Sequence, residues 1–419
     1  LWYAAGVSQR LSNREGAAHA FEAETVDAIS RARTAFSRMI EFKCPGSRAV
    51  TSVAEAFGVH RKLAWQVSKV AYADDPFAAA RHMPPAKSLD VWLQAARNAG
   101  VDPSLIESAR DAGARFESLA ETHASSRAEF QMLLESCVPD QDDAGDAKWR
   151  QQAFLGNSYT WGAHCRTLLA LSILMPSDDR ERFFHAVQVR GLIGFRQTRP
   201  GVRWVINQSV VLDDESKVTN GLERVPLDPG AAEAHAGVPV LPAFCSTPTL
   251  EFERRSTPDG IMQDEFLPGP IGQSGERTLV TAEVIRNIGA VHATEHDRTA
   301  YFGTSVRTPA ELLHFDLLVR DGLFGPVERE LRVFSDLTSA HAFGEHDELK
   351  INTKVVRLGR GLGMAQTPDI PAYAELVASV CDAAGIDPDE YELFRVRMAY
   401  PPMPTSVMLR HDLLDPDLF

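Results

Sequence analysis

Apolar residues recur at helical spacing in the first part of the chain and alternate with polar ones in the last. Phe21, Val26, Ile29, Phe36 and Ile40 fall near a 3.6-residue period and predict one long amphipathic helix. Leu89, Trp92, Leu93 and Ala96 mark another, which stops near Gly100. Asp102-Pro103 reads as a helix start, because Asp can accept from the free N–H groups of a first turn and Pro fits its first position. Ile106, Ala109, Phe116 and Leu119 continue that stripe. Segment 149–176 predicts one or two further helices, with the apolar run 170–175 as a buried end before Pro176. Beyond it the period changes to two. Segments 185–198 and 202–214 alternate on either side of Arg199-Pro200-Gly201, the pattern of a β-hairpin. Strand-like runs follow at 249–255, 277–289, 312–320, 329–337, 349–359, 392–400 and 405–411, interrupted by an amphipathic helix at 371–386.

Segment 52–72 carries a more specific pattern. Val53, Ala54 and Phe57 give a short helix its apolar side, Gly58 stands at a corner, and Val59, Leu63, Ala64 and Val67 give a second helix its apolar side. A corner glycine tolerates φ > 0, and a small residue at Ala54 lets the two helices cross closely. This spacing resembles the helix-turn-helix of bacterial transcription regulators. The resemblance covers about twenty residues and implies that the second helix enters a DNA major groove while the first crosses the backbone. Matched position by position, His60, Arg61, Lys62, Trp65, Gln66 and Lys69 face outward. Arg, Lys and Gln suit purine edges and phosphates.

Charge sharpens this picture. The whole chain has a formal net charge of −14, yet residues 31–70 hold eight basic side chains (Arg31, Arg33, Arg38, Lys43, Arg48, Arg61, Lys62 and Lys69) against Glu41 and Glu55. An acidic body repels phosphate and leaves the basic island as the docking face. The expected fold is α+β: an all-helical N-terminal half containing the helix-turn-helix, followed by a β-rich α+β C-terminal half. A chain of 419 residues, 44% hydrophobic, can build more than one core. The predicted domains are 1–83, 84–176 and 177–419, with breaks at 82–88 and 138–146 and a long surface loop at 213–242. No apolar run approaches the roughly 20 residues that span a bilayer, so no membrane partner is expected. The first residues lack the features of a secretory signal, and the chain begins without Met. Five scattered cysteines, none spaced as CxxC, argue against a disulfide framework and for a reducing cytoplasm.

Candidate chemistry is sparse. Residues 292–296, HATEH, match the H-x-x-E-H arrangement, in which a helix presents His292 and His296 to one zinc ion and Glu295 activates its water. Glu375 would complete the ligand set. The setting opposes it, since 285–289 reads as a strand end and a polar run follows at 297–299. Neither metal nor cofactor is therefore expected. GRGLGM at 359–364 reads as a glycine turn, and His341 and His346 as members of a solvated loop. Asn157, Ser158, Tyr159, Trp161 and His164 cluster on an apolar segment and read as polar groups at a helix junction. No nucleophile elbow is found.

The sequence thus predicts a cytoplasmic, DNA-binding regulator, a binder rather than an enzyme, that recognises double-stranded DNA as a homo-oligomer and whose C-terminal half senses a ligand or supplies the oligomer contacts. Arg48, Lys62 and Lys69 would anchor phosphates, Arg61, Lys62 and Gln66 would reach base edges, and His60 belongs to the same DNA-binding surface. A self-assembling, shell-like structural protein is the second reading, and a zinc-dependent hydrolase through HATEH the third.

Overall fold

An unbroken stripe along the first helix, α1 (Trp2–Lys43), organises the N-terminal part of the protein. Phe21, Thr25, Ala28, Ile29, Ala32, Ala35, Phe36, Met39 and Ile40 are all buried, the spacing of one helical face. Val26 lies one position out of phase and is 37% exposed, so it does not belong to the stripe the sequence suggested. The computed structural model describes residues 2–137, 143–209, 222–247, 251–256, 262–295, 298–337 and 345–416. Two units divide the chain, Leu1–Gln141 and Asp142–Phe419.

The first unit is all helix. After α1 come α2 (Val50–Phe57), α3 (Arg61–Tyr72), α4 (Pro76–Ala80), α5 (Ala86–Asn98), α6 (Pro103–His123) and α7 (Arg127–Ser136). Their starts follow local chemistry. Asp75 Oδ1 accepts from Ala78 N at 2.7 Å, and Asp102 Oδ1 accepts from Ser104 N at 2.8 Å, with Pro103 in the first turn. Ser126 Oγ accepts from Glu129 N at 3.1 Å while Glu129 reaches back to Ser125 N at 2.7 Å, a variant of the capping box. One hydrophobic core holds all seven helices together. At its centre Trp92 of α5 is fully buried and its ring lies 4.4 Å from that of Phe57 of α2. The expected boundary at 83/84 therefore falls inside a single core: Met83 and Pro84 are buried, and 82–85 is only a tight connection.

The second unit opens with α8 (Asp143–Trp161) and, after Gly162 at φ +75°, a strand β1 (Ala163–Pro176). This corrects the reading of 163–176 as helix. An apolar run without period is ambiguous between a buried helix and a strand covered on both faces, and β1 is the latter. It sits mid-sheet, antiparallel to β2 (Phe183–Gln197) and parallel to the later strand β9 (Ala310–Arg320). The β-rich unit thus begins before the expected residue 177. The remaining elements are β3 (Trp204–Ser209), β4 (Arg224–Pro226), α9 (Pro229–Ala234), β5 (Phe252–Ser256), β6 (Met262–Phe266), β7 (Arg277–Ala290), β8 (Thr299–Val306), β9 (Ala310–Arg320), β10 (Glu330–Ser335), β11 (Val355–Arg360), α10 (Tyr373–Ala384), β12 (Tyr391–Ala399) and β13 (Thr405–Asp412). Seven strands form the main sheet in the order β11-β12-β9-β1-β2-β7-β4, beside smaller sheets β10-β13-β8 and β3-β6-β5.

The expected hairpin of β2 with β3 is not made. Both strands form where predicted, but β2 pairs with β1 and β7 while β3 pairs with β6. The Pro200-Gly201 corner redirects the chain into another sheet, and Gln197 holds that corner by donating to Val202 O and accepting from Gly269 N, both at 2.8 Å. Part of the predicted loop 213–242 also carries structure, namely β4, α9 and the buried Val238 and Val240, while 210–221 lies outside the described residues. Most of the predicted break 138–146 likewise lies outside them, although α8 already begins at Asp143.

One face of the main sheet packs on α10, and the other packs on the β10-β13-β8 sheet. A buried ion pair ties α10 to the first face. Asp316 of β9 and Arg395 of β12 are register partners, joined by Nε–Oδ1 at 2.8 Å and Nη2–Oδ2 at 2.7 Å. Tyr373, the first residue of α10, donates its hydroxyl to Asp316 Oδ2 at 2.9 Å. Arg395 gives its other protons to the Gln366 and Ala365 carbonyls. Burial works to raise the Asp316 carboxyl, but the bonds from Arg395 and His314 outweigh it and hold the carboxyl below its ordinary value. Arg395→Met should destabilise this unit by about 3–5 kcal/mol in urea unfolding, because it strands a buried carboxylate. The double change Asp316→Leu/Arg395→Met should recover most of that loss, and equal losses in single and double variants would contradict the assignment.

On the opposite face His411 of β13 is 1% exposed, and among the described residues neither ring nitrogen has a hydrogen-bond partner. Its ring stacks on Phe302 and meets Phe324 edge-on. Burial, reinforced by nearby Arg329, pushes its pKa down from 6.5 to about 4. The folded protein therefore keeps His411 neutral where the unfolded chain takes up a proton, so stability should fall as pH drops from 6.5 towards 4. The expected loss is roughly 3 kcal/mol. His411→Phe should remove this slope from unfolding midpoints measured across that window, and an unchanged slope would contradict the assignment.

Candidate functional site

The turn between α2 and α3 is built from one backbone conformation. Gly58 adopts φ 64°, ψ 36°, its N–H reaches Glu55 O at 3.3 Å, and Val59 N reaches Ala54 O at 3.0 Å. These two bonds close α2 in a Schellman motif, for which a residue without Cβ is suited. Two residues later α3 begins, capped by His60, whose Nδ1 accepts from Lys62 N at 3.2 Å.

Packing fixes which side of α3 faces out. Val53 and Phe57 of α2 are buried, as are Leu63, Ala64, Val67, Ser68, Val70 and Ala71 of α3. Ala54 and Val59 are half-buried against the same core. His60, Arg61, Lys62 and Lys69 are exposed, and Gln66 is half-buried. Trp65 is 40% exposed and leans edge-on against His82, with ring centroids 4.9 Å apart. Burial, with Arg81 and Lys69 nearby, lowers the His82 pKa. The Trp65–His82 contact joins separate segments, so no local pattern announces it.

The basic island divides into engaged and unengaged side chains. Arg31 pairs with Asp27 at 2.8 Å, Lys43 Nζ donates to Ala99 O at 3.1 Å, and the Arg48 guanidinium lies 4.8 Å from the centre of the Tyr72 ring. Arg61, Lys62 and Lys69 have no acidic partner among the described residues. No acidic residue occupies the first turn of α3, so its positive end is not neutralised there. Arg61, Trp65 and Lys69 share one helical row at i, i+4 and i+8, with Lys62 and Gln66 on the next. Twelve residues make a helix roughly 18 Å long, slim enough for a major groove about 12 Å wide.

Among the described residues the other candidates do not assemble. Between Ala290 and Thr299 the described residues 291–295 form bends rather than a helix, so His292 lacks the helical frame that H-x-x-E-H needs. His296 lies outside the described residues, as does His341. Glu375 is exposed in the first turn of α10. Residues 362–365 form a short 3₁₀ turn, in keeping with a glycine corner. Of the cluster on α8, Ser158 is buried and bonded to Phe154 O at 2.7 Å, Tyr159 is 79% exposed and Trp161 53% exposed. His164, on β1, meets Phe154 edge-on.

A different trio, Asp178, Asp179 and His185, brings potential metal-ligand atoms together, but its hydrogen bonds oppose a metal. His185 Nδ1 accepts from the Asn287 N–H at 2.9 Å, which places the ring proton on Nε2, 2.9 Å from Asp178 Oδ1. Metal binding at Nε2 would displace that proton and leave an imidazolate. The bond from His185 holds Asp178 below the usual carboxylate range, and bonds from Ser177 and Asn287 do so for Asp179. The trio is a clamp between the β1–β2 turn and β7. The buried Asp316–Arg395 pair was also missed by sequence reading; its only signal was charge inside two apolar runs, HFDLLVR and FRVRM.

No protein-family model matches the chain, and no curated protein is similar to it. A solved structure from Parabacteroides distasonis described as a "putative protease" aligns with 60% of this chain at 10% identity and a TM-score of 0.24, too low to bear on fold or activity. The chain spans 40% of that structure's length. Among the described residues no helix is long and apolar enough to cross a membrane.

A Cβ at Gly58 would meet no atom within 4 Å, so replacement acts through the backbone alone. Gly58→Ala should cost about 1–2 kcal/mol and raise hydrogen exchange in α2 and α3. Unchanged exchange there would contradict the strained-turn account.

Proposed function

We propose that this protein is a sequence-specific DNA-binding protein of the transcription-regulator type, which lays α3 in the major groove of duplex DNA. The observation that carries the reading is the set of exposed, acid-free cations on α3 (Arg61, Lys62 and Lys69), in a chain whose formal net charge is −14. Lys62 and Lys69 contact phosphates, and Arg48 joins them if its guanidinium leaves the Tyr72 ring. Arg61, Lys62 and Gln66 reach base edges. His60 acts first as the helix cap and borders the same surface. One short helix contacts few base pairs, so the functional form is a homo-oligomer, a dimer in the simplest case. Five thiols without a disulfide accord with a reducing cytoplasm.

Selection of bound fragments from random duplex DNA at about 50 mM and about 200 mM salt tests the reading. A shared sequence should emerge. On that duplex Arg61→Ala should lose about 1–3 kcal/mol of discrimination against changed bases. Lys69→Ala should weaken binding to every sequence and flatten the salt dependence by about one unit of slope. Equal binding of wild type and Arg61→Ala to all duplexes would count against groove reading.

A further inference from the structure

The face of the main sheet opposite α10 is not completely covered. Where β8 and β13 cross β1, β2 and β7, a partly open cavity of about 290 Å³ remains. Its apolar end is formed by Leu174, Phe184, Phe302 and Met408, and polar groups enter from Ser172 and Gln188. A recess of this size, open on one side and lined by both apolar and polar side chains, can admit a small ligand. Benzene fills an apolar cavity of about 150 Å³, which scales to a ligand of roughly ten to twelve non-hydrogen atoms here.

The polar end specifies the head group. Gln188 Oε1 accepts from Arg190 Nη2 at 3.2 Å, and Arg190 Nη1 donates to Asn207 Oδ1 at 3.0 Å. With its oxygen occupied by a guanidinium, the Gln188 amide keeps Nε2 as the donor, and among the described residues that group has no partner. Arg190 follows two positions along β2, on the same side of the strand, and Glu283, the β7 register partner of Gln188, is already paired with Arg224, so the charge around the donor is net positive. A donor backed by positive charge suits an anionic acceptor, and a carboxylate is the simplest small one.

We propose that this cavity binds a small monocarboxylate with an apolar body, a medium-chain or single-ring acid, its head at Gln188 and its body against Phe184 and Phe302. The inference rests on the second unit alone and stands or falls separately from DNA binding by α3. Octanoate and 3-phenylpropionate are suitable probes, with 1-octanol as the uncharged control. Titration calorimetry and thermal unfolding of the wild-type protein should show saturable binding of at least one acid with a rise in Tm, and weaker binding of the alcohol. Ala186→Phe, which fills the cavity, should abolish binding. Gln188→Leu, a milder change that leaves the space intact, should weaken the acid about tenfold or more while leaving the alcohol nearly unaffected. The proposal is overturned if neither acid binds the wild type. It is equally overturned if a folded Ala186→Phe binds as the wild type does, or if Gln188→Leu leaves acid affinity unchanged.

Discussion

Helix α3 cannot turn about its own axis. Half of its twelve residues are buried, and the left-handed corner at Gly58 fixes its angle to α2, whose Phe57 rests on Trp92 in the centre of the helical core. Each residue advances a helix by about 100°, so once Leu63, Ala64, Val67 and Val70 are inside, Arg61, Lys62, Trp65 and Lys69 must be outside. Rolling the helix to hide those cations would bury charge that is paired with no carboxylate among the described residues. The exposed basic face is a consequence of the apolar one, and the proposed groove contact depends on both.

In the second unit the governing element is the main sheet, which carries packed layers on both faces. A sheet covered twice must bury some polar positions, and it does so in pairs. Asp316 and Arg395 face each other across β9 and β12, and Tyr373 brings α10 onto the same carboxylate. His411 on the other side is tolerated because it stays neutral between two aromatic rings. The cavity near Gln188 is where this double covering falls short.

Local chemistry was legible wherever it sufficed to fix the backbone. The corner at Gly58, the start at Asp102-Pro103, the helix near 371–386 and most strands form where pattern places them. Information shared across the chain was not legible. The run 163–176 has no period because both faces of β1 are covered, so length and composition left it open to a helical reading. Pro200-Gly201 turns the chain equally well into a hairpin or into another sheet, and the choice depends on β6, some sixty residues away. The boundary expected near residue 83 vanished because α5 packs on α2, a contact that no local spacing reveals. Within the candidate interface the outward set was readable from helical phase, whereas the engagement of Arg48 with Tyr72 and of Trp65 with His82 required coordinates. HATEH illustrates the converse, a local match whose described residues 292–295 form no helix.

The central claim concerns one surface, and hydrogen exchange of the full chain with and without duplex DNA reads that surface directly. With the selected duplex in excess at low salt, amides of 60–69 should slow, and the effect should fade as salt rises. Slowing confined to the second unit, or no change in α3 while the complex is demonstrably formed, would contradict it.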